Sequence, residues 1–351
     1  MGSYGRRPRG WWSVVGAVAL IATVSACGSS GKSAASGQSS ASASQSSPAK
    51  LETVRIGLIQ DQPLYGAVWL GQDDLYGTFR KQGIDLKLVY YPTGTAVAAA
   101  VFSGDVDLAI GNAAPVISAI DQGQQVSALG SGGTNAQVIL ASSKLTTTGK
   151  AQDLVGKKVG SSGPFSTAMV QEALVQGGLS ATAASIVNVT VPGSLPALQA
   201  GQIDYLITGD PYVGQAVDQG IGKIWRDFRV ETGSLGKVPN TVVWGKTSYL
   251  TGNPAIAAGF TKALCQNSNM ASANPSQAGA SMASKMPGDK ASNTTLAAAA
   301  AKLMHCEISQ EDVATTNEVI VTVGKSAPKT VTYDQFVWSG APAAWASASG
   351  K

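Results

Sequence analysis

Apolar residues recur along this chain in two periods. Short β-branched runs alternate with longer stretches whose apolar positions repeat every three to four residues, which is the pattern of strands alternating with amphipathic helices. The first set predicts a strand over 54–60, a helix over 65–82, a strand over 84–90, a helix over 95–103, a strand over 106–110 and a helix over 115–122. A second set follows Ser143, with strands over 158–160, 186–189 and 203–208 and helices over 165–177 and 195–200. Strands that alternate with helices in this way form parallel sheets with crossover helices, so the fold class is α/β. Ligands in such sheets bind beyond the carboxyl ends of the strands.

The second set echoes the first down to single residues. Gly104-Asp105-Val106-Asp107-Leu108-Ala109-Ile110 aligns with Gly201-Gln202-Ile203-Asp204-Tyr205-Leu206-Ile207, and each copy precedes a proline, Pro115 or Pro211. Glycine ends a helix by taking the left-handed conformation. Asp107 and Asp204 are therefore expected to stabilise the turn into a buried strand and not to touch a ligand. After Phe228 the chain returns through 238–244 and becomes helical in Ala-rich segments over 254–270, 292–305 and 309–323. The expected organisation is a first lobe made from 51–142 and 239–345, with a second lobe, 143–238, inserted into it. Each lobe is expected to hold a mixed, mostly parallel sheet flanked by helices, with a ligand cleft between lobes. Two crossings, near 138–141 and 239–243, would form the hinge.

The N-terminus changes the picture of where the chain works. Arg6, Arg7 and Arg9 precede an apolar run from Trp11 to Val24, and Val24-Ser25-Ala26-Cys27 follows, the order of a secretory signal over 1–26. The apolar run is shorter than the roughly 20 residues that a membrane-crossing helix needs. A cysteine after three small or aliphatic residues resembles the bacterial lipobox, in which Cys27 carries the lipid. Residues 27–50 are almost entirely Ser, Ala, Gly and Gln, a flexible linker. The expected location is therefore extracytoplasmic, lipid-anchored to the cell membrane. Loss of the three leader arginines takes the formal charge from +4 to +1. With no basic stripe interleaved with aromatics, nucleic acid is not an expected partner. Cys265 and Cys306 are the two thiols left beyond the linker, and in an oxidising compartment an even pair reads as a disulfide.

With these residues in view, the chain resembles the solute-binding proteins of bacterial ABC importers, in the nitrate, sulfonate, taurine and thiamine-precursor group. The resemblance is carried by Val54-Arg55-Ile56-Gly57-Leu58, the run from Gly94-Thr95-Ala96-Val97 through Gly111, Asp153 through Gly160, and Asp210-Pro211-Tyr212. It implies a two-lobed periplasmic-binding-protein fold of type II and a small-molecule solute as ligand. It also implies a membrane permease with its ATPase as partners, acting with a monomeric binding protein. No cofactor and no metal is implied.

The loops after the strands supply the candidate ligand-binding residues. The first lobe offers Asp61, Gln62, Leu64, Tyr65, Thr93, Thr95, Asn112, Ala113, Thr134 and Asn135; the second offers Ser161, Ser162, Phe165, Ser166, Ser194, Asp210 and Tyr212. Most precede helices, whose starts present unpaired N–H groups suited to oxyanions. Thr95, Ser162 and Ser194 equally suit simple N-capping. Tyr65, Phe165 and Tyr212 are expected as apolar walls. None of these loops carries Arg or Lys, which weakens the case for a fully charged oxyanion, while Asp61 and Asp210 suit an amine or amino-heterocycle.

Two other readings remain open at this level. Biosynthetic enzymes of the menaquinone and thiamine-pyrimidine types share the fold, but the single histidine, His305, falls outside every candidate loop. No Walker loop, HExxH or Gly-x-Ser-x-Gly motif occurs, so catalysis is not expected. A lipoprotein that presents its ligand to a membrane receptor is the other alternative.

Overall fold

A computed structural model describes residues 51–59, 63–231, 233–239, 241–286, 289–323 and 329–349. The leader, Cys27, the linker, Asp61 and Gln62 lie outside the described residues. Ten strands follow in chain order: β1 (Glu52–Ile59), β2 (Ile84–Tyr91), β3 (Leu108–Gly111), β4 (Val126–Gly133), β5 (Val138–Ser142), β6 (Lys158–Ser161), β7 (Ser185–Asn188), β8 (Tyr205–Thr208), β9 (Gly222–Asp227) and β10 (Thr241–Lys246). They form two five-stranded sheets, ordered β2-β1-β3-β10-β4 and β7-β6-β8-β5-β9.

The two sheets share one plan. In each, the first three strands of the order are mutually parallel and the fourth runs against its neighbours. That opposed strand is the one that arrives from the other sheet: β5 follows β4 across, and β10 follows β9 back. Val138–Ser142 is thus an internal strand of the second sheet, not a crossing, and the first passage between sheets falls at 134–137. Asn135 ties this passage to the returning segment. Its Nδ2 donates to the Leu235 carbonyl at 2.6 Å and its Oδ1 accepts from the Gln137 amide at 2.8 Å.

The residue-level echo has a structural counterpart. Asp107 Oδ2 accepts from the Arg55 amide in β1 at 2.8 Å, and Asp204 Oδ2 accepts from the Lys158 amide in β6 at 2.9 Å. The return bonds run from each aspartate's own amide to the same residue's carbonyl, at 2.9 and 2.8 Å. Gly104 and Gly201 end the preceding helices at φ 87° and 74°, the left-handed region that glycine enters without a Cβ clash.

Two strands escape the sequence pattern. β4, with sequence VSALGSGG, is buried along its whole length, so no alternation marks it. β9 is polar on much of its surface, and no element was expected over 222–227. The single helix expected over 65–82 is broken into a 3-10 turn at Pro63–Tyr65 and short helices at Gly66–Gln72 and Thr78–Lys81. Asp74 at φ 54° and Gly77 at φ 64° take left-handed conformations between them. In the tail, the helix Pro254–Ala273 packs on β4, on Gly66–Gln72 and on the helix Ala341–Ala348. Trp345 Nε1 donates to the Leu129 carbonyl of β4 at 2.9 Å. The helix expected over 309–323 runs as an α-helix over Gln310–Asn317 and continues as a π-helix over Glu318–Val323.

Trp69 and Trp244 lie in the core, both essentially inaccessible. Cys265 and Cys306 are joined by a disulfide, with their Cα atoms 4.9 Å apart. No helix among the described residues is long and apolar enough to cross a membrane.

Candidate functional site

A cavity of about 340 Å³ opens between the two sheets. Pro63 and Leu64 after β1, and Ala136 and Gln137 in the first passage, form one side; Gly209 and Asp210 after β8, and Asp227, Arg229 and Val230 at the end of β9, form another. The third side is the end of the helix Lys290–Ala301 and the turn beyond it, through Ala299, Ala300, Lys302 and Leu303.

The charged end of the cavity is a three-residue cluster. Asp227 ends β9 and caps the 3-10 turn Phe228–Val230, its Oδ1 accepting from the Arg229 amide at 3.0 Å. This turn places the Arg229 side chain back over Asp227: Nε reaches Oδ1 at 2.8 Å and Nη2 reaches Oδ2 at 2.7 Å. Nη1 donates to Asp210 Oδ2 at 2.7 Å. The hydrogen bond to Asp227, with the field of Asp210, holds the guanidinium above its ordinary value. Asp210 is 8% exposed, and burial pushes its carboxyl above the usual range despite the opposing pull of Arg229 and the Gly214 amide. Its Oδ1 is buried without a hydrogen-bond partner.

The structure separates the residues expected from the sequence. Asp210 lines the cavity, and Leu64 joins it there. Tyr65 does not: it is 3% exposed and packs edge-on against Trp69, and burial pushes its hydroxyl well above the ordinary range. Phe165 is likewise a core residue. Thr93, not Thr95, caps its helix, accepting from the Ala96 amide at 3.2 Å, and both threonines are exposed. Asn112 Oδ1 accepts from the Ala114 amide at 3.2 Å, a local turn beside the buried Ala113.

In the second half, Ser161 is buried and bonded to Gly163 and Thr167, Ser162 is exposed, and Ser194 bonds back to the Val191 carbonyl at 2.8 Å. Ser166 reaches a cavity residue, donating to Gln137 Oε1 at 3.1 Å. Thr134 is half-buried, its amide bonded to the Leu303 carbonyl. Tyr212 lines a second cavity of about 510 Å³, with Gln215 and Asp218 on one wall and Asp289, Ser292 and Leu296 on the other. Among the described residues no cluster of three or more His, Cys, Asp or Glu could hold a metal ion.

Arg229 and Lys302 bring to the cavity the basic residues that the candidate loops lack. Arg229 follows a strand that the polar surface of β9 concealed; had Gly222–Asp227 been read as a strand, the loop after it would have been a candidate. Lys302 had no local signal, because its position depends on how the C-terminal helices fold back.

Two mixed sheets exchanging one strand each, with a cavity between them, define the two-lobed α/β fold of type II periplasmic binding proteins. The NMT1/THI5 like family model matches residues 73–278, more than half of the chain, and the chain belongs to that family. Among curated protein sequences none matches it.

Solved structures share the fold at low identity. The alkanesulfonate-binding protein SsuA from Xanthomonas axonopodis pv. citri, bound to MOPS, is 18% identical with a TM-score of 0.67, covering 84% of this chain and 99% of that one. The periplasmic nitrate-binding protein NrtA from Synechocystis PCC 6803 is 14% identical with a TM-score of 0.66, covering 86% and 89%. The desulfurization enzyme DSZB, in complex with biphenyl-2-sulfinic acid, is 13% identical with a TM-score of 0.61, covering 83% and 98%.

Proposed function

We propose that this protein is the extracytoplasmic solute-binding component of an ABC importer, held at the membrane by a lipid on Cys27. It takes a small solute into the cavity between its sheets and hands it to a permease that works with an ATPase. The observation that carries this reading is the cavity itself. Loops from both sheets and one C-terminal helix converge on about 340 Å³, a volume within the range of small-molecule sites. A solute that touches both sheets favours the form in which they are together. The family, and the binding of an alkanesulfonate and of nitrate by proteins of this fold, support the same reading.

The test is a thermal-shift screen of the purified protein with sulfonates, taurine, nitrate, bicarbonate, amino-pyrimidines and aromatic acids at millimolar concentration. At least one is expected to raise Tm, and Ala300→Phe, which fills the cavity, is expected to weaken that solute at least tenfold. If no solute raises Tm, the reading fails. Because a desulfurization enzyme shares the fold, the bound solute is recovered and assayed for chemical change; sustained conversion would replace transport by catalysis. Replacing Cys27 with Ser is expected to move the protein from the membrane to the soluble fraction.

A further inference from the structure

The helix Lys290–Ala301 meets different neighbours on its two faces. On one, Thr294 and Ala298 approach the helix Pro275–Met282 so closely that a methyl group on Gly279 would stand 2.7 Å from the Ala298 amide nitrogen and 2.8 Å from the Thr294 carbonyl oxygen. The opposite face carries Ser292, Leu296, Ala299 and Ala300, positions three or four apart that a helix stacks into one stripe. Ser292 and Leu296 line the cavity of about 510 Å³, whereas Ala299 and Ala300 line the cavity of about 340 Å³. Leu296 therefore stands where the stripe passes from one cavity to the other.

At that point the stripe meets the second sheet's side of the site. The Leu296 side chain lies against Gly214, in the first turn of the helix Tyr212–Asp218 that follows β8. A methyl group on Gly214 would stand 2.9 Å from Leu296 Cδ1 and 3.3 Å from Cδ2, so the missing side chain is what seats the leucine. The Gly214 amide bonds to Asp210, which ties this seat to the cavity wall. Leu296 itself does not line the smaller cavity. Packed boundaries resist parting because each contact adds dispersion energy, and a boundary flanked by two cavities has few contacts to lose. We infer that Leu296 is a positioning residue: seated on Gly214, it holds Ala299 and Ala300 in place as a wall of the smaller cavity, and its release frees that wall to move and exchange a solute. The inference rests on the solute-binding reading and deepens it by naming the contact that governs exchange at that site.

The experiment places a thiol in the wall with Ala300→Cys, a position 7% exposed, and follows its alkylation by N-ethylmaleimide in the full chain. Mass spectrometry of the peptide that holds position 300 separates this thiol from Cys27. Adding Leu296→Ala is expected to raise the labelling rate about fivefold or more by local opening, and Leu296→Met, which refills the seat, to keep it within about twofold of the parent. Gly214→Leu, which fills the seat from the other side, is expected to act like Leu296→Ala. If Gly214→Leu does not fold, the two Leu296 variants decide the matter. Ala109→Cys, in the fully buried middle of β3, is the control and is expected to label no faster with Leu296→Ala. Equal rates at position 300 in the parent and Leu296→Ala overturn the inference. So does an equal rise at position 109, which would mean general loosening of the fold and not movement of one wall. The labelling uses no solute, so this inference fails on its rates and the solute-binding reading fails separately, on the thermal-shift screen.

Discussion

Nη1 of Arg229 stands 2.7 Å from Oδ2 of Asp210 and so joins the loop after β8 to the turn after β9. Both loops leave the second sheet at the edge that faces the cavity, and the same guanidinium holds Asp227. The bond therefore organises one wall of the candidate site from residues 19 apart in the chain.

Removing that guanidinium should cost stability in a pH-dependent way. Arg229→Met leaves Asp210 and Asp227 without their counter-ion, a loss of about 3 kcal/mol at neutral pH for a largely buried cluster. Asp210 is already raised above its ordinary 3.8, by burial first. A carboxyl raised in the folded state loses stability as pH climbs from its unfolded value through its folded one. Without Arg229 to oppose burial, that loss grows. Urea unfolding of the two proteins is expected to show a larger gap at pH 7 than at pH 4; an equal gap would mean that Asp210 does not titrate as the geometry requires.

Glu172 offers the same sign in the opposite experiment. It is 5% exposed, its Oε2 lacks a partner, and burial holds its carboxyl above the usual range, with Glu318 adding to the shift and Gln176 and Arg226 opposing it. Glu172→Gln keeps the size of the side chain and removes the charge. It is expected to raise Tm above the titration range of the carboxyl and to leave it nearly unchanged at acid pH, where the glutamate is already neutral. Thermal melts at pH 4 and pH 8 measure the difference.

The duplicated aspartates are expected to be structural. Asp107 and Asp204 each accept from the amide of a neighbouring strand, and hydrogen bonds to a charged acceptor contribute about 1.5–3 kcal/mol. Asp107→Ala and Asp204→Ala should each lower the unfolding free energy by about 2 kcal/mol without altering the affinity for a bound solute. A loss of affinity at unchanged stability would move these residues into the site.

The disulfide closes a loop with a sequence separation of 41 residues. In the chain-entropy model a loop of that length stabilises by about 4 kcal/mol. The double variant Cys265→Ala, Cys306→Ala should lose about that much in denaturant unfolding, and reductant should lower the midpoint of the parent but not of the variant.

What the sequence determined by itself was the alternation of six strands with helices and its duplication. Glycine at 104 and 201, aspartate at 107 and 204, and the apolar runs beside them report local burial and local turn chemistry, so the two-sheet plan could be read from them. The family resemblance rested on the same stretches. The lipid anchor at Cys27 remains a reading of the sequence, since it lies outside the described residues. The site was legible only in part. Asp210, expected at the cleft because it follows a recognisable strand, lines the cavity, whereas Tyr65 and Phe165, expected there by the same rule, lie in the core. Only the tertiary structure brought Arg229 against Asp210, left one oxygen of that carboxylate unpaired, and folded Ala300 and Leu303 back from the tail to close the cavity. Periodicity records which face of an element is buried. Which distant side chains meet there, and which polar groups remain unsatisfied, depends on how the whole chain packs.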